Sequence, residues 1–287
     1  MPRSKLTVLA GALTVLLAFI AAGCGGSSNK SAETTTATAA TGGGITAPAN
    51  ISSAGVLVFC SDITYPPEEF YEGTKPVGSD IEIGAEIARR LGVKAQFDNT
   101  GFDGIIPALL GKKCDAIISG MNDTPERQKQ VAFVDYIKVG QSFMVKKGNP
   151  ESITGVPSLA GKSASVEVGT TNKDYLDQQS KKLKAQGKKP IDVVTFPKDT
   201  DAANALKTGK VDAYFGDAPV VAYYIEKDPS SFTFGGSPIN PILVGIAIRK
   251  GDTELQTAVK QAVDAMYADG AMAKILKKWQ LSATALK

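Results

Sequence analysis

Residues 102–127 read FDGIIPALLGKKCDAIISGMNDTPER. A short amphipathic helix leads to Gly-Lys, then Asp-Ala opens an apolar run at 115–119, long enough for one buried strand. Gly120, Met121 and Asn122 form a turn; Asp123 or Thr124 can cap a new helix, with Pro125 in its first turn and Arg127 just inside. A strand that stops at a small polar turn and opens a helix leaves free backbone N–H groups at a sheet edge, where α/β proteins bind ligands. An Arg there can grip a carboxylate through two parallel hydrogen bonds. Read alone, the segment fits equally an exposed Arg paired within its own helix. Residues 199–217, DTDAANALKTGKVDAYFGD, repeat the design: amphipathic helix, Gly-Lys, Asp-Ala, apolar strand, closing Gly. Two α/β units of one plan predict two α/β lobes.

The remaining pattern alternates in the same way. Strands are expected at 56–60, 95–98, 139–146, 162–168, 191–196 and 242–249. Asp80 is expected to cap a helix over 81–91 that Gly92 ends, and Gly169-Thr170-Thr171-Asn172 leads into a helix from Lys173. Helices over 253–269 and 272–279 are separated by Gly270. Strands alternating with helices predict largely parallel sheets.

The ends and the composition narrow the function. Arg3 and Lys5 precede an apolar run at 6–22, the pattern of a secretory signal peptide over 1–23, with an uncleaved membrane anchor as the alternative. Cys24 directly after Ala21-Ala22-Gly23 resembles the lipobox of bacterial lipoproteins, which implies cleavage before Cys24 and lipidation of it. Ala21 stands where that motif usually has Leu. Residues 24–50 are Gly, Ser, Thr and Ala with almost no large apolar side chain, a composition that predicts a flexible tether. The formal net charge is +3 and no basic block stands out beyond 181–189, which disfavours nucleic-acid binding. The chain has no His, so the commonest general base and metal ligand is missing; neither a metal nor a cofactor is expected. Two further cysteines, Cys60 and Cys114, remain, and exported proteins commonly join such a pair. On parallel neighbouring strands, however, they would sit about four residues out of step, on the order of 13 Å, beyond disulfide reach. The pairing stays open, with that register weighing against it.

The order and spacing of a longer set of motifs carry a resemblance. It runs through Asp62 with Tyr65-Pro66-Pro67, Val77-Gly78-Ser79-Asp80-Ile81, Arg89-Arg90-Leu91-Gly92-Val93 and the 102–127 stretch. It continues through Leu159-Ala160-Gly161-Lys162, Gly169-Thr170-Thr171, Gly216-Asp217-Ala218-Pro219 and residues 245–251. The chain resembles the family 3 extracytoplasmic solute-binding proteins, which serve amino-acid ABC importers. The resemblance implies a two-lobed periplasmic-binding-protein-like α/β fold (type II) with two crossing segments as hinge. Lobe one would be 51–139 plus 243–287 and lobe two 140–242, with hinges near Val139 and Leu243. It implies an extracytoplasmic, lipid-anchored monomer that binds a free amino acid, polar or cationic, and hands it to the importer's membrane subunits.

A zwitterion needs fixed donors for its carboxylate and fixed acceptors for its ammonium, since unpaired burial of either charge is prohibitive. By the resemblance Arg127 binds the carboxylate, helped by the backbone of Gly120 and Asn122 and by the N–H groups of Thr170 and Thr171 at a helix start. Asp217 would bind the ammonium from the opposite lobe; without the family it reads as a strand-end helix cap. Tyr65 and Phe102 match aromatic walls, or are simply core. Asp62 would reach the side chain or hold the pocket loop, and Ser119 would touch ammonium or carboxylate through its carbonyl or hydroxyl. Three positions depart from the family pattern. Glu68 replaces an aromatic and Asn122 a Ser or Thr, while Glu167 stands where Gln or another non-acidic residue is common. Extra carboxylates suit a cationic or amide-bearing side chain, with a solvent-facing Glu68 as the other reading. Lobe closure on the ligand is the implied mechanism. The rival functions are a cyclohexadienyl dehydratase-like enzyme, with Glu167 or Glu68 as its acid, and a sensory module presenting its ligand to a separate receptor.

Overall fold

The computed structural model describes residues 44–286. The signal segment, Cys24 and the tether up to residue 43 lie outside the described residues. Among those described, no helix is long and apolar enough to cross a membrane. Residues 44–50, assigned to the tether by composition, are packed instead: Ile45 and Ala47 rest against the core, and helix α1 (Ala49–Ala54) precedes strand β1 (Val56–Ser61).

One half of the sheet is built from β1, β4 (Lys94–Asn99) and β5 (Ala116–Ile117), all parallel, covered by α2 (Ser79–Arg90) and α3 (Ile105–Leu110). The hairpin strands β2 (Phe70–Glu72) and β3 (Lys75–Val77) lead into α2. After a single turn, α4 (Pro125–Gln128), the chain enters the 16-residue strand β6 (Val131–Lys146), which runs through both halves. The helix expected after Thr124 is therefore one turn only, and the strand expected from 139 begins at Val131. The apolar pattern of 131–137 fits either conformation; pairing with β11 (Ile239–Arg249) decides for strand.

The second half carries β7 (Ser163–Glu167), β8 (Asp192–Phe196), β9 (Ala213–Asp217) and β10 (Phe232–Phe234), with helices α5 (Thr171–Ala185), α6 (Asp199–Lys207) and α7 (Ala218–Lys227). The order β4-β1-β5-β11-β6-β9-β7-β8 is parallel within each half and antiparallel wherever β6 or β11 takes part. The sheet is thus mixed, not largely parallel, because the two connecting strands must run in opposite senses. Helices α8 (Thr253–Ala268) and α9 (Ala271–Lys278) close the first half.

The cores are separate. Leu57, Phe59, Ile83, Ile246, Val259 and Met266 pack in one cluster, while Phe143, Val166, Leu176 and Phe215 pack in another on the far side of the β6–β11 crossing.

Cys60 and Cys114 are joined, with Cα atoms 5.6 Å apart. Cys60 lies opposite Ile117, so the register offset to Cys114 is three residues. Strand rise does not apply to that offset, because β5 begins only at Ala116 and Cys114 sits in the bend before it. The bend carries the thiol back over β1.

Candidate functional site

The ends of β1, β5, β7 and β9 meet where the two halves face each other. They enclose a cavity of about 10 Å³, on the order of one water molecule, lined by Asp62, Tyr65, Phe102, Gly120, Asn122, Glu167, Thr170, Thr171, Asn172 and Asp217. The halves are closed on each other.

From the first half come the turn after β5 and the loop after β1. Gly120 has a left-handed backbone (φ 49°), and a Cβ there would meet the Tyr65 ring at 3.1 Å, so glycine lets turn and ring pack together. Thr124 caps α4 by accepting from the Arg127 N–H at 3.2 Å, which aims the Arg127 side chain back toward the turn. Arg127 is 9% exposed; its guanidinium donates to the Asn122 carbonyl at 2.8 Å and, across the cleft, to the Gly169 carbonyl at 3.1 Å. It lies 5.2 Å from the centre of the Phe102 ring. Asp62 is held by the Phe102 N–H (2.8 Å) and the Thr64 hydroxyl (2.7 Å).

The second half contributes helix starts. Thr170 caps α5, accepting from the Lys173 N–H at 3.1 Å and donating to the Glu167 carbonyl at 2.8 Å. The helix therefore begins at Thr171, two residues earlier than the sequence pattern suggested, and Asn172 falls in its first turn. Asp217 sits at the N-cap position of α7 but its side chain makes no cap bond. Its carboxylate turns into the cavity instead, accepting from Asn122 and Asn172 at 3.3 Å each, and its N–H donates to the Tyr65 hydroxyl at 3.3 Å. The Thr171 hydroxyl donates to the Asn122 side-chain oxygen at 2.5 Å and accepts from Gln141 of β6 at 3.3 Å.

The electrostatics are those of a buried acidic cluster. Burial pushes the Asp217 carboxyl up to about 6, against the pull of Asn122, Asn172 and Tyr65. Glu167 is raised well above the usual range, first by burial and then by the carboxylates of Asp199 and Asp62. Glu167 and Asp62 are within hydrogen-bonding reach of each other across the cleft, and Glu167 Oε1 has no partner. Asp199 behind them is pushed by burial to about 7, although Tyr214 and Tyr224 donate to it at 2.5 and 2.9 Å.

Of the residues singled out by the sequence, the structure brings ten to this cavity or its wall: Asp62, Tyr65, Phe102, Gly120, Asn122, Arg127, Glu167, Thr170, Thr171 and Asp217. The Ser119 hydroxyl is turned away; it accepts from the Asp62 N–H and donates to Glu69, both at 2.8 Å. Glu68 is 2% exposed rather than solvent-facing, because the 64–69 loop folds in over Asp80. Asp80 does not cap α2: Gly78 precedes the helix and Asp80 is buried in its first turn. Asn172 and Gln141 were missed. Asn172 follows Thr-Thr directly, so an N-cap placed at Thr170 would have exposed it; Gln141 has no local signal.

The family model for bacterial extracellular solute-binding proteins, family 3, matches residues 57–282. The ABC transporter arginine-binding protein 1 of Escherichia coli (strain K12) is 31% identical over 234 residues, covering 79% of this chain and 92% of that protein. Among solved structures, an ancestral arginine-binding protein bound to arginine is 38% identical with a TM-score of 0.73, covering 78% of this chain and 98% of that one. An ancestral amino acid-binding protein, a precursor of cyclohexadienyl dehydratase, is 33% identical with a TM-score of 0.73, covering 80% of this chain and 97% of that one. The chain belongs to the bacterial extracellular solute-binding proteins, family 3.

Proposed function

We propose that this protein is the extracytoplasmic receptor of an ABC importer and takes up a free amino acid, polar or cationic in its side chain, by closing its two lobes on it. One observation carries this reading: Asp217, a buried acid, lines a closed cavity, and Arg127, a buried cation, backs its wall from the other half through the Asn122 and Gly169 carbonyls. Arg127 would exchange its bond to the Gly169 carbonyl for the ligand carboxylate. Asp217, with Asn172 beside it, would receive the ammonium. Tyr65 and Phe102 would cover the aliphatic part. The facing carboxyls of Asp62 and Glu167, one oxygen of which lacks a donor, suit a guanidinium or amine at the far end of the side chain. The arginine-bound relative supports this choice.

The lobes would be 51–139 plus 243–287 and 140–242, with hinges near Val139 and Leu243; the separate cores and the irregular register between Ile239 and Ile242 support those bounds. The protein would act as a monomer held to the membrane by a lipid on Cys24 after removal of residues 1–23. Binding without turnover is the reading preferred. Buried acids at Glu167 and Glu68, together with the relative that precedes a dehydratase, favour one second reading, proton donation to a leaving hydroxyl.

Isothermal titration of the tether-free protein, refolded to strip carried-over solute, is the deciding experiment. L-arginine, L-lysine, L-histidine, L-glutamine and L-cystine are tested in turn. Binding of one or a few, abolished by Arg127→Ala and by Asp217→Ala, is the expected result. No binding to any amino acid, with turnover of arogenate or prephenate, would replace it with the dehydratase reading. Loss of lipid labelling in Cys24→Ser tests the anchor.

A further inference from the structure

Behind the cavity, on the first lobe, lies a buried polar chain whose two acids, Glu69 and Asp80, are not among the residues that line it. Asp80 Oδ2 accepts from the Gly120 N–H at 2.8 Å and from the Tyr136 hydroxyl at 2.6 Å. Glu69 Oε1 accepts from the Ser119 hydroxyl at 2.8 Å, and Ser119 accepts in turn from the Asp62 N–H. The other oxygen of each acid, Glu69 Oε2 and Asp80 Oδ1, is buried without a partner, and both residues are wholly inaccessible. The two side chains are within hydrogen-bonding reach of each other. The titratable groups acting on Glu69 are Asp80, Glu68 and Asp62; Tyr136 of β6 faces Asp80, and no ion pair among the described residues involves either acid. Two adjacent buried carboxylates without a cation are prohibitive, whereas one proton between them satisfies both orphaned oxygens.

We propose that Glu69 carries a proton donated to Asp80, and that this acid pair acts as a positioning device for the lobe-one half of the ligand site. Through Asp80 it fixes the Gly120 N–H and the turn that leads to Asn122 and Arg127. Through Glu69 and Ser119 it fixes the backbone at Asp62. Neither acid touches the ligand; each sets the backbone that does. Burial and the neighbouring carboxylates hold Glu69 well above the usual carboxylate range, in keeping with that proton. The effect on affinity rests on the amino-acid reading above, while the shared proton does not.

The test uses the folded tether-free protein with Glu69→Gln and Glu69→Ala. The glutamine amide reproduces both bonds, donating to Asp80 and accepting from Ser119; alanine removes both. Three readouts are taken. The infrared difference between wild type and E69Q at pH 7 is expected to show loss of one carboxylic-acid carbonyl band. The Gly120 amide proton of the ligand-free protein, shifted downfield by its carboxylate acceptor, is expected to stay in E69Q and to move in E69A. L-arginine affinity is expected within about twofold of wild type in E69Q and at least tenfold weaker in E69A. Loss of a carboxylate band in place of the acid band overturns the shared proton. An unmoved Gly120 amide in E69A, or an E69Q as weak as E69A, overturns the positioning role. If E69A fails to fold, the infrared band and the E69Q affinity still decide. Failure of wild type to bind any amino acid overturns the function instead, and leaves the infrared and amide readouts to judge the pair.

Discussion

The two lobes solve the same problem with different materials. In the proposed site lobe one supplies a long side chain, Arg127, which it has to immobilise. It does so with a capped turn, an aromatic ring under the guanidinium, a disulfide between Cys60 and Cys114, and a buried polar network beneath the turn. Lobe two presents a short acid, Asp217, straight from the end of β9, and backs it with the starts of α5 and α7. A short side chain on a strand end inherits its position from the sheet, and residues 140–242 contain no cysteine. The comparison suggests that lobe one is sensitive to what supports its site, and lobe two to what stands in it.

The sharpest way to break that contrast is to remove each charged end. Arg127→Ala and Asp217→Ala each leave the opposite ligand charge buried and unpaired, a loss of about 3–5 kcal/mol or roughly two to four orders of magnitude in Kd by titration calorimetry. Next in size, reduction of the disulfide releases a 54-residue separation and is expected to cost about 4 kcal/mol in a denaturant titration. Hydrogen exchange should then rise in lobe one and stay unchanged in lobe two.

Closure itself is tested at Gly169. Its φ is 79° and a Cβ there would lie 2.8 Å from the Asp103 Cα of the facing lobe. Gly169→Ala is expected to weaken binding about tenfold while leaving each lobe folded. Protons act on lobe two with opposite signs for the empty and the filled protein. Asp217, raised from 3.8 to about 6, adds stability to the empty closed form that is full below the unfolded value and lost as pH rises through 6. An ammonium ligand needs the same carboxyl ionised. Affinity should therefore fall by about tenfold from pH 7 to pH 5, while the melting temperature of the empty protein is higher at pH 5 than at pH 8. The smallest change is Asn172→Ala, which removes one 3.3 Å bond to Asp217 and should cost about 1 kcal/mol of binding, read by titration calorimetry.

The legible part of the site was the part written in local chemistry. The turn at Gly120–Asn122, the cap at Thr124 before Arg127, and the Gly-Thr-Thr helix entry all follow from short-range rules, and they placed the cavity-lining residues close to where they stand. Residues whose packing partners come from distant segments were read less well. Ser119 belongs to the strand end the sequence marked, yet a partner fifty positions away, Glu69, takes its hydroxyl. Glu68 carries a charge and sits in a loop, so local reasoning left it open to solvent; the fold buries it. Gln141 holds Thr171 and is held by Asn240 from a strand almost a hundred residues later.

By itself, then, the sequence determined the alternation of helices and strands, the two echoing units, the absence of a histidine site, and the family to which the chain belongs. These depend on composition, periodicity and turn chemistry, which act over a few residues. Only the tertiary structure decided the mixed sense of the sheet, the length of β6, the Cys60–Cys114 bond, and which buried acids face each other. Those depend on register and on bends such as the one before β5, which local preference does not reveal and which brings Cys114 to bonding distance of Cys60.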